Sequence, residues 1–165
     1  MNRRLYAWLA LSLLVVGIDQ LTKWLVMSHM QVGEAIPMTG FFQLVLVYNP
    51  GAAFSFLSDQ PGWQRWLFTG LAALICAWLL SMLREHQHER LLPTAFSLIM
   101  GGAIGNVIDR LAHGAVVDFL YFHIGRHGWP AFNGADSAIT VGVALMLWAH
   151  FRSPRNQVIT PEKTP

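Results

Sequence analysis

Charge is what this chain has least of. Asp, Glu, Lys and Arg together make up 12% of its 165 residues, against about 25% in an ordinary soluble domain. Hydrophobic residues make up 54%, and the mean hydropathy is positive. That balance argues for a membrane. A formal net charge of +2 is too small to argue for a nucleic-acid partner. Cysteine is nearly absent: Cys76 stands alone in an apolar run, so no internal disulfide can form, and it reads as a small buried hydrophobe. No HExxH motif occurs, and no serine sits in a nucleophile motif with an evident histidine partner. His123 and His127 have the spacing of a helical metal pair, but Gly125 between them argues against a helix. Neither a metal nor a cofactor is therefore expected. There are no repeats and no low-complexity tracts.

What is present is apolar length. A bilayer core needs roughly 20 mostly apolar residues per helix. Leu5 to Ile18 is uncharged, and the run reaches Met27 if Asp19 and Lys23 are admitted. Trp66 to Leu83, Leu91 to Ile108 and Ser137 to Phe151 are uncharged too. Four spans are expected, in a single membrane-embedded domain over residues 1–153. Pro93 falls in the first turn of the third span, where a missing N–H costs little. The basic start, Asn2-Arg3-Arg4, suggests a signal peptide. No small-x-small cleavage site follows it, so it reads as an uncleaved first span. Residues 154–165 form a polar tail that is expected to be disordered.

Lys and Arg near the span ends set orientation. One side collects Arg3, Arg4, Arg84, Arg90, Arg152, Arg155 and Lys163; the other collects Lys23, Arg65, Arg110 and Arg126. The first side is therefore expected to be cytoplasmic, with both termini inside. Trp24, Trp63, Trp66 and Trp129 then fall near the outer interface, where indoles are favoured. The outer loops contain FFQLVLVYN (41–49) and AVVDFLYFHI (115–124), rich in β-branched and aromatic residues that suit short strands.

Ionisable residues at membrane depth are functional candidates by default. Asp19 and Lys23 share a helix face; either they satisfy one another, or Asp19 orients a site from behind. In GGAIGNVIDR (101–110) the glycines permit close helix packing. Asn106 and Arg110 face one way and could hold a substrate carbonyl or a phosphate, whereas Asp109 and Arg110 could simply pair. YNPGAAFSF (48–56) opens on a turn signal, from which Asn49 could present its amide to a substrate backbone. Asn133 and Asp136 have the spacing of a helix N-cap with an acidic third residue. Capping does not account for Asp118, which lies between Val117 and Phe119. Two close carboxylates suit acid–base chemistry, in which one takes a proton from water while the other, kept protonated, polarises a carbonyl. Asp136 at a helix N-terminus is expected to be the base. A small proton-coupled transporter using the same aspartates as a relay is the competing reading.

Taken together, the motifs resemble the lipoprotein signal peptidase (signal peptidase II) family of bacteria. The resemblance rests on DQLTK (19–23), YNPGAAFSFL (48–57), PGWQRW (61–66), GGAIGNVIDR (101–110), VVDF (116–119) and AFNGADSAI (131–139), in the family's order and spacing. It implies an all-α membrane protein with a small β element: four transmembrane helices, an outer β-cradle and a short interfacial helix. It also implies an aspartyl protease of the inner membrane with its site near the outer face. The substrate would be a prolipoprotein carrying diacylglycerol on the cysteine after the scissile bond, the lipid staying in the bilayer. Globomycin, a cyclic peptide, would occupy the substrate site. By this resemblance Asp118 and Asp136 are the catalytic pair, and Asn49, Gly51, Asn106, Arg110 and Asn133 line or support the site, with Asp19 and Lys23 nearby. One position departs from the pattern: the family carries Leu or Ile where this chain has Gly134. That glycine is expected to loosen the Asp136 turn.

Overall fold

The computed structural model describes residues 3–51 and 62–152. Among them are four helices long and apolar enough to cross a membrane: Arg3–His29 (α1), Gln64–His86 (α2), Leu91–His113 (α3) and Gly134–Arg152 (α4). Each contains the apolar run expected of it and continues past its charged margins. The short interfacial helix is not found among the described residues. The tail, and residues 52–57 of the Asn-Pro-Gly motif, lie outside them.

The helices are not equivalent. In its apolar window α3 is 61% buried, against 11% in each of the other three. It is the central mast, packed on α1, α2 and α4, which turn most of their surface outward. The glycines make this close approach possible. A Cβ at Gly102 would collide with the Ala135 carbonyl of α4, and one at Gly101 would lie 2.7 Å from the Ser12 carbonyl of α1. Toward the N-terminal end, Leu79, Leu83, Phe96, Ile99 and Met100 form the apolar core, with Leu5, Trp8 and Leu9 against it.

At the other end stands a small antiparallel sheet, Ala35–Pro37 (β1), Phe42–Asn49 (β2), Val116–Ile124 (β3) and His127–Gly128 (β4), in that spatial order. Met30 at the foot of α1 packs with Leu46 and Val117 and seats the sheet on the bundle. Trp24, Trp63, Trp66 and Trp129 are all exposed at this end, as an interfacial belt requires.

Two local devices place the site. Gly114 ends α3 in the left-handed region (φ 77°), its N–H bonded to the Arg110 carbonyl at 3.1 Å, and so turns the chain directly into β3. Then Phe132 pairs with Leu120 of β3, through N–H···O bonds of 2.8 and 3.0 Å. This brings Asn133 alongside Asp118 just before α4 begins.

Candidate active site

The site is built on a buried lysine. Lys23 is 1% exposed, and an ammonium at that depth must be compensated on every proton. Its three N–H bonds are all used: Asp19 Oδ2 at 2.8 Å, Asp109 Oδ2 at 2.7 Å and Asn106 Oδ1 at 3.1 Å. Asp109 also accepts from the Val117 N–H (3.1 Å) and from Gln20 Nε2 (2.9 Å). Lys23, expected as an interfacial charge of the outer side, is therefore an interior residue. The suggested Asp109–Arg110 pair does not form either. Successive helical residues point about 100° apart, so Asp109 turns toward α1 while Arg110 turns away. Arg110 donates to the Gly51 and Asn106 carbonyls, both at 3.3 Å, and lies over the Phe68 ring.

The start of α4 is clamped from two sides. Asn133 Oδ1 accepts the Asp136 N–H at 2.9 Å, and Asp136 Oδ2 accepts the Asn133 N–H at 3.2 Å, a reciprocal capping box. The intervening N–H, of Ala135, goes to Asp19 Oδ1 at 2.8 Å. Asp19 thus satisfies Lys23 and also holds the first turn of α4.

Asp118 and Asp136 are brought together by amides. Asn133 Nδ2 donates to Asp118 Oδ1 at 2.8 Å, and Asn49 Nδ2 to Asp118 Oδ2 at 3.2 Å. Asn106 Nδ2 donates to Asp136 Oδ1 at 2.8 Å. Asn106 Oδ1 in turn accepts from both Lys23 and Asn133. Gly51 donates its N–H to Asn49 Oδ1 at 3.1 Å and holds that amide in place. Burial, and then the nearby Asp136 charge, push the Asp118 carboxyl up from 3.8 to about 7; the Asn49 and Asn133 bonds pull in the opposite sense. One buried and one half-buried carboxylate with no direct cation contact can share out protonation states, as acid–base work on a carbonyl and a water requires.

All nine residues singled out in the sequence lie in this one connected cluster. Sequence reasoning missed Gln20, which ties Asp19, Asp109 and the Gly105 carbonyl together, and the role of Asp109 as Lys23's second partner. Among the described residues no group of three or more His, Cys, Asp or Glu side chains is arranged to hold a metal. His123 is engaged by Gln43 and stacks on Tyr121.

Comparison with known proteins gives the same frame. The profile of the family described as Signal peptidase (SPase) II matches residues 11–152. The chain belongs to the signal peptidase II family. A lipoprotein signal peptidase of Azoarcus sp. (strain BH72) is 66% identical over 158 residues, covering 96% of this chain and 88% of that one. Its counterpart in Cupriavidus taiwanensis is 54% identical over 148 residues, covering 90% and 84%. A bacterial membrane enzyme structure determined in meso at 2.3 Å resolution superposes with a TM-score of 0.81 at 31% identity, covering 96% of this chain and 94% of that one. Signal peptidase II membership makes the chain a multi-pass bacterial membrane protein and a protease, not a proton-coupled transporter.

Proposed function

We propose that the chain is an aspartyl endopeptidase of the inner membrane that removes the signal peptide from diacylglyceryl-modified prolipoproteins, cleaving before the lipidated cysteine. The observation that carries this reading is Asn133, a single residue bonded through its amide to Asp118 and through its backbone N–H to Asp136. The scissile carbonyl and a water lie between the two carboxyls. Asp136, both of whose oxygens accept N–H donors, takes the proton of the attacking water. Asp118, held protonated by its burial, donates to the carbonyl oxygen as the tetrahedral centre forms. Arg110 Nε, buried with no partner among the described residues, is a spare donor for a substrate carbonyl. The signal helix enters sideways from the bilayer, and the diacylglyceryl chain remains there. The termini lie on the cytoplasmic side, the dyad opens toward the outer face, and globomycin-like cyclic peptides compete for the same space.

The test is cleavage of a purified lipidated precursor in detergent. Asp118→Asn and Asp136→Asn should each lower turnover about a thousandfold and leave a folded, inserted protein. EDTA should leave wild-type turnover unchanged. Substantial turnover by either variant removes that residue from the mechanism, and loss in EDTA with recovery on zinc overturns the aspartyl assignment.

A further inference from the structure

The end of the bundle away from the dyad holds a second polar site. Between the start of α1 and the turn from α2 to α3 lies a cavity of about 560 Å³, lined by Arg4, Ala7, Trp8, Gln87, His88, Glu89, Arg90 and Thr94. That volume is in the range of small-ligand sites, and the position, at the ends of three spans, is the level of lipid headgroups. The wall carries both signs of charge. Arg4 Nη1 donates to His88 Nδ1 at 3.0 Å. A guanidinium can only donate, so His88 Nδ1 is the acceptor in this contact. Arg90 is the N-cap of α3 and makes no side-chain cap bond; with Pro93 lacking an N–H, the Leu91 and Leu92 N–H groups form the positive end of the helix there. Opposed to these donors stands the Glu89 carboxylate. The Gln87 amide is held to this rim by its own Nε2, bonded to the Arg84 carbonyl at 2.9 Å. Trp8 Nε1, bonded to the Gln87 carbonyl at 3.1 Å, pins the turn to α1.

We propose that this cavity binds the headgroup of a phosphoethanolamine lipid. The phosphate takes the Arg4 and Arg90 guanidiniums and the α3 N-terminus. The ammonium donates to Glu89. A phosphoglycerol headgroup offers hydroxyls but no cation to Glu89, and a phosphocholine headgroup offers a cation with no N–H. Only the primary ammonium brings Glu89 both a positive charge and N–H donors. The lipid would tie the start of α1 to the α2–α3 turn. The assignment depends on neither the dyad nor the cleavage reaction.

The experiment uses the full-length chain, purified in mild detergent and stripped of lipid. It is titrated with phosphatidylethanolamine, phosphatidylglycerol or phosphatidylcholine of identical acyl chains. Bound lipid is read by native mass spectrometry and stabilisation by Tm, since a ligand of the folded state raises it. Phosphatidylethanolamine should bind about tenfold more tightly than the other two, equivalent to ~1.4 kcal/mol, and raise Tm by several degrees. Arg4→Gln and Arg90→Gln should each weaken it about tenfold. Glu89→Gln, an exposed change, should narrow the preference over phosphatidylglycerol even if an arginine variant fails to fold. Arg3→Gln, which does not line the cavity, should change nothing. Equal binding of the three lipids, tighter binding of phosphatidylglycerol, or equal loss in Arg3→Gln overturns the proposal.

Discussion

Two pairs of aspartates, all buried except the half-buried Asp136, sit within one hydrogen-bonded cluster, and they are held in different ways. Asp19 and Asp109 share the Lys23 ammonium, at 2.8 and 2.7 Å. Asp118 and Asp136 share amides: Asn49, Asn106, Asn133 and one backbone N–H. A cation in contact fixes its carboxylate in the ionised state. An amide donor orients a carboxyl but leaves its proton negotiable, because it adds no net charge. The first pair is therefore suited to holding helices together and the second to exchanging protons. The boundary between them is Asn106, whose oxygen faces Lys23 and whose nitrogen faces Asp136.

The change that breaks the cation-held half should have the largest effect. Lys23→Met leaves Asp19 and Asp109 buried without a counter-charge, a loss of about 3–5 kcal/mol against a total stability of roughly 5–15 kcal/mol. Little folded protein should be recovered, as judged by monodisperse elution in detergent; a well-behaved Lys23→Met protein would show that the cation is dispensable. Breaking the amide half should spare the fold. Asn133→Ala removes a cap worth about 1 kcal/mol and the amide bond to Asp118 Oδ1, which loosens the geometry of the pair. Turnover should fall about a hundredfold, since displacements of about 1 Å carry such losses, with KM little changed.

The pH dependence sharpens the contrast further. Asp118 in the folded protein titrates near 7 rather than 3.8, so kcat/KM should fall as pH rises through about 7, where the acid loses its proton. Removing a hydrogen bond that favours the charged form raises the pKa, so Asn49→Leu should move that limb to higher pH; a move to lower pH would assign the limb to another group. The same shift acts on stability. The folded state binds the Asp118 proton more tightly than the unfolded chain does. That contribution is full below 3.8 and is lost as pH rises through about 7. Tm should therefore decline over this window in the wild type, and decline less in Asp118→Asn.

The smallest effect is expected at Gly134. Its φ is not positive, and an added Cβ would meet Asp19 Oδ1 at 3.5 Å and Thr22 Oγ1 at 3.9 Å, ordinary contacts. Glycine's helix penalty, up to about 1 kcal/mol relative to alanine and less at an end, is then recoverable. Gly134→Leu should raise Tm by a degree or two and keep or improve turnover; a less stable or inactive variant would mean that side chains beyond Cβ do not fit against α1.

The spans were legible because apolar length is a one-dimensional signal, and the strands because Val-Val and aromatic runs bounded by glycine suit a pleated surface. The helix ends were less so. Hydropathy stops at Asp109 and Arg110, whereas α3 runs to His113, because those charges turn inward to partners on other elements. The same cause misplaced Lys23. An interfacial lysine and a buried one look alike until Asp109, far along the chain, is known to face it. Gln20 carried no warning at all, since a glutamine beside an aspartate has no special spacing. Asp118 and Asp136 stood out because neither had a local explanation that covered both.

Asp19 Oδ1 holds the Ala135 N–H at 2.8 Å, a bond between the first membrane helix and the last. Seen in the order of synthesis, this joins the earliest span to leave the ribosome to the latest. A nascent chain with three spans inserted has Asp19, Lys23, Asn106, Asp109 and Asp118 but neither Asn133 nor Asp136. Under the proposed mechanism the chain is inert throughout its own insertion, and it becomes competent to cut only when α4 docks and the Ala135 N–H reaches Asp19.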